Sequence, residues 1–203
     1  MVNCLSSCEN PDHIAYARAL AISQYEPTSC FAFVNHVLEQ KAPKAYKELL
    51  TAHEEVVRTL PETHITRDFI PYYYTLLPFE YLKHWRKVEI ADIQPGDLFI
   101  YIDKDYNPDP SSRATNAPSG THVSFVDSIL DTQLVLLDSS KRRRGRHFRQ
   151  RDSREIPPGK HLIAYSFLDI STDPISGLSE IRFNGQKPLV NKYIHILRII
   201  CSL

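Results

Sequence analysis

Apolar side chains recur every three or four residues through the front half of the chain, which is the spacing of amphipathic helices. In the second of these stretches Phe31, Val34 and Val37 follow Ser29, a residue type that commonly caps helix N-termini. This pattern places Cys30 in the first turn of a helix. The predicted helices are 11–23, 29–40, 43–60 and 68–85.

The back half changes to short apolar runs with turn residues between them, the pattern of β-strands. The pair Asn184-Gly185 separates the last two runs, and this pair favours the backbone conformation of a tight hairpin turn. Helices that precede a set of strands predict an α+β fold, in which the N-terminal helices pack on a mostly antiparallel sheet. The predicted strands are 97–102, 122–129, 133–138, 161–168, 179–183 and 192–200.

Length and charge limit the function classes. The 203 residues fit one domain over 1–203, with a helical insertion at about 41–90. Lys and Arg together number 24, as do Asp and Glu, so the formal net charge is zero. No overall positive potential therefore favours the binding of nucleic acid. No apolar run approaches the roughly 20 residues that cross a bilayer, so we expect a soluble protein without a membrane span. These properties leave the oligomeric state open.

Two polar stretches are predicted to be loops. Residues 104–120 are rich in Pro, Asp, Ser and Asn and end shortly before His122, so they are expected to form one wall of a cleft. Residues 141–151, with the sequence KRRRGRHFRQR, are a dense basic run. This basic loop is either a solvated segment or a surface that attracts an anionic partner, and the sequence leaves both interpretations open.

Cys30 and His122 are the candidates for chemistry. The positive end of a helix dipole and a neighbouring imidazolium both favour a thiolate, so a cysteine in a first helical turn beside a histidine suits a nucleophile with its base. The alternatives are a buried, inert cysteine and a hydrogen-bonded strand histidine. The cysteines show no CxxC pair and no zinc-like spacing, so no metal site is predicted. Pairing among Cys4, Cys8 and Cys201 in an oxidising compartment stays open.

Three segments of the chain resemble the NlpC/P60 family in their character and order. The segment SCFAFV at 29–34 resembles the start of that family's nucleophile helix, IQPGDLF at 93–99 its turn into the first central strand, and THVSFV at 121–126 its histidine strand. The resemblance implies a papain-like NlpC/P60 fold. The cysteine precedes the histidine in this chain, and this order argues against the permuted acyltransferases of the wider papain-like group.

The resemblance implies roles for individual residues as well. Cys30 matches the nucleophile and His122 the general base, and the family's third residue, on the strand after the histidine strand, matches Asp138. Tyr25 matches a tyrosine shortly before the nucleophile, whose hydroxyl would bond the thiolate or a substrate carbonyl. Family members hydrolyse amide bonds in peptidoglycan stem peptides without a metal or an organic cofactor. In this chain Ser29 replaces the family's usual aspartate, which bears on the substrate class.

Three functions follow as hypotheses. The first is a cysteine hydrolase that cleaves peptidoglycan stem peptides through a Cys-His-Asp thioester mechanism. The second is a cysteine enzyme that modifies a protein target as a deamidase, protease or acyltransferase. The third is a non-catalytic binding module in which the basic loop at 141–151 meets an anionic surface.

The compartment depends on which hypothesis holds. The start of the chain, Met1-Val2-Asn3-Cys4, lacks the basic and apolar regions of a secretory signal. A cell-wall enzyme, however, would be periplasmic or secreted. The sequence also leaves open whether the acyl group passes to water or to an amine.

Overall fold

A computed structural model describes residues 12–59, 82–103, 122–141, 161–172, 179–182 and 192–200. Over these residues three helices precede a seven-stranded sheet, so the predicted α+β class is confirmed. The helices are α1 (Asp12–Ala21), α2 (Cys30–Lys41) and α3 (Pro43–Thr59), and a 3₁₀ turn spans Ile90–Asp92. The strands are β1 (Trp85–Lys87), β2 (Leu98–Asp103), β3 (His122–Leu130), β4 (Gln133–Lys141), β5 (His161–Thr172), β6 (Ser179–Arg182) and β7 (Lys192–Ile199).

The sheet is built from antiparallel neighbours in the order β1-β7-β2-β3-β4-β5-β6. Strands β2 to β6 follow one another as a meander, whereas β7 returns to lie between β1 and β2. This order puts β3 and β4 near the middle of the sheet, where both of their edges are paired. Paired central strands hold their side chains in place better than loops do, so they suit a site that needs accurate geometry.

The helices cover one face of the sheet. Phe33 of α2 meets Phe125 of β3 edge to face, with the ring centroids 6.0 Å apart. Because successive side chains of a strand point to opposite faces, β3 contributes Phe125 to this core and Val126 to a second apolar cluster on the other face. The buried side chains of α2 are Phe33, Val34, Val37 and Leu38, and the second cluster consists of Ile93, Phe99, Val126, Leu134, Leu136, Leu168 and Ile196.

Most of the predicted elements that fall on described residues are confirmed to within a few residues at their ends. Within α2, Phe31 is only partly buried, and Phe33 takes the place in the apolar stripe that the pattern assigns to Phe31. The predicted loop at 104–120, residues 142–151 of the basic loop, Cys4, Cys8 and Cys201 lie outside the described residues. No helix within the described ranges is long and apolar enough to cross a bilayer.

The helix predicted at 68–85 is wrong at its C-terminal end. Trp85 begins β1 and pairs with Ile199 of β7, and its indole N–H donates to the Ala45 carbonyl at 2.9 Å. The apolar spacing before Trp85 is helical, but pairing with β7 makes Trp85 part of a strand. Residues 60–81 lie outside the described residues.

The predicted hairpin between the last two strands is also wrong. β6 pairs with β5, and β7 pairs with β1 and β2, so these two strands are not neighbours. Asn184 and Gly185 themselves are not among the described residues. A two-residue turn signal reports on local backbone only, and pairing with strands elsewhere in the sheet decides where β6 and β7 lie.

The turn at 95–97 fixes the entry to β2. Gly96 has a φ of 93°, a conformation that a Cβ would disfavour, and its N–H donates to the Val126 carbonyl at 2.7 Å. The Asp97 carboxylate accepts two hydrogen bonds from the Arg198 guanidinium, at 2.7 and 2.8 Å. These contacts hold β2 against β3 on one side and β7 on the other, and so set the start of β3 within the sheet.

Candidate active site

Cys30 is the first residue of α2 and follows a well-formed N-cap. Ser29 is extended, its Oγ accepts from the Ala32 N–H at 3.0 Å, and its carbonyl accepts from the Phe33 N–H at 3.1 Å. The predicted cap and the position of Cys30 in the first turn are therefore confirmed. The Cys30 thiol is free and partly buried. The Cys30 N–H is one of the first N–H groups of α2, which have no acceptor within the helix itself.

His122 and Asp138 meet on neighbouring strands. His122 is the first residue of β3, Asp138 lies in the last part of β4, and the antiparallel pairing brings the two side chains together. His122 Nε2 lies 2.9 Å from Asp138 Oδ2, and the side chains are 11% and 2% exposed, respectively. A carboxylate and an imidazole this close form a nearly water-free ion pair when the ring is protonated.

Ser166 of β5 also contacts this pair. Its Oγ donates to Asp138 Oδ2 at 2.8 Å, and Ser166 is buried. The contact from His122 Nε2 to the same oxygen is an ion-pair contact, and its N–H is not aligned for a hydrogen bond. The well-formed hydrogen bond to the carboxylate therefore comes from Ser166. Sequence reasoning missed this residue, because one serine within a predicted strand carries no signal of its partner.

The surroundings of His122 favour its protonated form. Burial alone would lower the pKa of the ring, but the negative charge that Tyr101, Asp138 and Cys30 can carry raises the pKa of His122 well above 6.5. A carboxylate is charged at neutral pH, whereas a phenol and a thiol ordinarily are not, so Asp138 is the partner that matters there. Asp138 therefore favours the protonated ring against the effect of burial.

Cys30 lies near enough to His122 for the charge of a thiolate to raise the pKa of the ring. The Cys30 side chain rests against the helix-facing core, which Val123 also faces. Alternation along β3 turns the His122 ring toward the other face, but His122 is the first residue of its strand and its ring lies within electrostatic range of the thiol. Across the described residues no hydrogen bond joins the Cys30 sulfur to the ring. Nε2 is the ring nitrogen that lies at Asp138, and Nδ1 is the other ring nitrogen.

Tyr101 is a second neighbour of His122 that the sequence did not indicate. It lies directly opposite His122 on β2, and the two ring centroids are 5.6 Å apart. The phenol covers part of the imidazole and so helps to keep water from the ion pair. Tyr101 falls within the predicted strand 97–102, but the register between two strands cannot be read from one sequence, and no local signal could have found this contact.

Tyr25 lies in the segment that leads to Cys30 and stacks on α2. Its ring is nearly parallel to that of His36, with the centroids 4.8 Å apart, and the Tyr16 hydroxyl lies 3.1 Å from His36 Nε2. Within the described residues Tyr25 makes no hydrogen bond to Cys30 or to the ring of His122. Its contacts here are those of a residue that packs the segment before the nucleophile, and its predicted bond to a thiolate or a substrate stays a prediction.

Two further histidines have structural partners. His13 is buried, its Nε2 lies 2.8 Å from the Gly96 carbonyl oxygen, and burial lowers its pKa. His84 Nδ1 lies 3.0 Å from Glu48 Oε2. The contacts of His13 and His84 are therefore those of packed residues. Among the His, Cys, Asp and Glu side chains that the structure describes, no group of three could hold a metal ion.

Comparison with known proteins gives no relative: no family model, no curated protein and no solved structure matches this chain. The NlpC/P60 resemblance therefore stays a prediction that rests on the three sequence segments. The contacts at Cys30, His122 and Asp138 are observed in this chain itself and do not depend on any relative.

Proposed function

We propose that this chain is a cysteine hydrolase that cleaves amide bonds through a thioester intermediate. Cys30 is the nucleophile, His122 the acid and base, and Asp138 the residue that orients the imidazole and stabilises its charge. The observation that carries the proposal is the ion-pair contact of His122 with Asp138, nearly free of water and within electrostatic range of a thiol at a capped helix N-terminus. Buried ionisable groups with shifted pKa values beside a nucleophile are typical of functional sites.

The reaction begins with transfer of a proton from the Cys30 thiol to His122. The raised pKa of the ring makes it a good acceptor, and Asp138 stabilises the imidazolium that forms. The thiolate adds to the amide carbonyl, and when the tetrahedral intermediate collapses the C–N bond breaks and His122 gives its proton to the leaving amine. Water that His122 deprotonates then hydrolyses the thioester and restores the thiol. Catalytic hydrogen bonds often tighten only when substrate binds, and we expect the sulfur and Nδ1 to approach in this way.

The start of α2 supplies a donor for the oxyanion. The tetrahedral intermediate carries negative charge on its oxygen, and donors aimed at that charge account for a large part of the rate enhancement in such reactions. Backbone N–H groups at a helix N-terminus favour an anion, and the Cys30 N–H is one of the first N–H groups of α2. Cys30 would thus provide both the nucleophile and one oxyanion donor.

We further propose that the chain has a papain-like NlpC/P60 fold and acts on peptidoglycan stem peptides. The three segments that resemble the NlpC/P60 family fall on the start of α2, on the turn into β2 and on the start of β3. Two of these segments carry the thiol and the imidazole, and the third sets β2 beside the histidine strand. This agreement supports a papain-like NlpC/P60 fold with peptidoglycan stem peptides as the substrate, and a periplasmic or secreted location would follow from that substrate.

Incubation of the purified protein with peptidoglycan tests the substrate. We expect mass spectrometry to detect stem-peptide fragments with a new amine end and a new carboxylate end, and we expect Cys30→Ala to release none. Intact peptidoglycan together with thiol-dependent change of a protein would select the protein-modifying enzyme instead. If neither substrate changes, while the protein binds anionic vesicles in a salt-sensitive way, the hydrolase proposal is contradicted in favour of a binding module.

A further inference from the structure

Asp138 is a buried carboxylate with two neighbours at one oxygen. It is 1% exposed, and its Oδ2 lies 2.8 Å from Ser166 Oγ and 2.9 Å from His122 Nε2. Among the described residues Ser166 is the one side chain that donates a hydrogen bond of good geometry to this carboxylate. A carboxylate removed from water is costly unless it is paired or hydrogen-bonded, so both contacts matter to the charge of Asp138.

How much each contact stabilises the Asp138 carboxylate depends on whether His122 is protonated. When His122 is protonated, its positive charge balances the carboxylate. When His122 is neutral, that positive charge is gone, and the Ser166 hydroxyl is the well-aligned donor to the buried carboxylate among the described residues. The hydrogen bond from Ser166 therefore stabilises the neutral-ring state more than it stabilises the ion pair. In this way it limits how tightly the imidazole holds its proton.

We propose that Ser166 is a positioning residue of the candidate site, whose hydroxyl fixes Asp138 Oδ2 beside His122 and allows the imidazole to release its proton. This inference rests on the proposed function, because proton release has a use only if His122 exchanges protons with the thiol, the leaving amine and water. The step that depends on it most is hydrolysis of the thioester, in which a neutral His122 has to accept a proton from water.

Among the described residues, three other titratable groups face His122. Tyr101 approaches from β2 and the Cys30 thiol from α2, while Asp138 approaches from β4. A change at Ser166 of β5 leaves all three of these groups in the chain. Any change in the proton affinity of His122 therefore reports on the carboxylate that Ser166 holds.

Ser166→Ala removes the hydroxyl and keeps the shape of the side chain. We expect the variant to raise the affinity of His122 for its proton about three- to tenfold, which is a rise in pKa of about half a unit to one unit. Nuclear magnetic resonance titration of the histidine rings measures this, and the His122 signal is assigned by its absence in His122→Gln. Ser166→Thr keeps a hydroxyl and is expected to return the pKa of His122 toward that of the wild type.

Ser124→Ala is the matched control. Ser124 is also a buried strand serine, and its Oγ donates to the Phe99 carbonyl at 3.3 Å and not to Asp138. We expect this variant to leave the pKa of His122 unchanged. An unchanged or lowered pKa of His122 in Ser166→Ala, or an equal rise in Ser124→Ala, would overturn the assignment. Should the extra methyl of Ser166→Thr prevent folding, the comparison of the two alanine variants still decides.

The titration separates this inference from the proposed function, because it needs no turnover. In an active wild type we expect Ser166→Ala to slow thioester hydrolysis more than thioester formation, so that a burst of the first product precedes a slower steady state. A wild type without hydrolase activity would contradict the proposed function. A rise in the pKa of His122 in Ser166→Ala would in that case still support the coupling of Ser166 to His122.

Discussion

Cys30→Ala is expected to abolish amide hydrolysis, with kcat/KM lower by roughly 10⁴-fold or more. The thiol forms the covalent bond of the intermediate, and without it the remaining groups can only bind substrate and polarise its carbonyl. Cys30→Ser keeps the size of the side chain and is expected to fail almost as fully, because a hydroxyl gives up its proton far less readily than a thiol. Single-turnover rates on peptidoglycan fragments measure both effects.

His122→Gln tests the base in the same assay. Because nucleophile and base act as a unit, the double variant of Cys30→Ala and His122→Gln is expected to be no slower than Cys30→Ala alone. Thermal unfolding close to that of the wild type shows that each variant keeps its fold. Activity of Cys30→Ala above about a tenth of the wild type would contradict the role of Cys30, since removal of a nucleophile costs far more than this.

Asp138→Asn is expected to lower kcat by roughly a hundredfold or more. The amide keeps the volume of the side chain but loses the charge that stabilises the imidazolium, and its NH₂ group can hold the ring in the wrong tautomer. The pKa of His122 is expected to fall, because burial of the ring then acts without the carboxylate that opposes it. Steady-state kinetics and titration of the His122 ring give the two readouts.

The same variant changes how stability depends on pH. The pKa of His122 is raised in the folded state, so the ion pair contributes stability that is fully present below 6.5 and is lost as the pH rises through the folded-state pKa. The free energy of unfolding of Asp138→Asn should therefore fall below that of the wild type by about 3 kcal/mol at mildly acidic pH. The difference should narrow at alkaline pH. Urea unfolding at a series of pH values measures it.

Asp127→Asn is the matched control for Asp138→Asn. Asp127 is also a buried carboxylate on a strand, and its Oδ1 accepts from Arg18 Nε at 2.7 Å. We expect the control to lose stability without a change in kcat or in the pKa of His122. An equal pKa of His122 in Asp138→Asn and in the wild type would show that the carboxylate does not hold the imidazolium.

The parts of the site that the sequence predicts depend on local signals. Ser29 is a capping residue and the apolar spacing after Cys30 is helical, so the start of α2 could be placed almost to the residue. His122 and Asp138 lie on β3 and β4, which follow one another in the chain with only a short turn between them. The short connection predicts that β3 and β4 pair, but a register shift between Val126 and Ser128 means that the turn alone does not place Asp138 beside His122. The resemblance to the NlpC/P60 family is what indicated Asp138.

The parts that the sequence does not predict depend on contacts between distant segments. Trp85 lies in an edge strand because β7 returns to pair with it. No residue near Trp85 in the sequence indicates this pairing. Ser166 reaches Asp138 through the pairing of β5 with β4, and Tyr101 faces His122 through the pairing of β2 with β3. Each of these contacts depends on a register that the hydrophobic pattern of one chain leaves undetermined.

The rate of iodoacetamide alkylation at each cysteine, resolved by mass spectrometry across a pH series, tests most directly whether the thiol and the imidazole act together. We predict that Cys30 is alkylated fast from mildly acidic to neutral pH, that Cys4, Cys8 and Cys201 are alkylated slowly, and that His122→Gln removes the difference. Slow and equal labelling of all four cysteines, or fast labelling of Cys30 that survives His122→Gln, would contradict the pairing on which the proposed hydrolase depends.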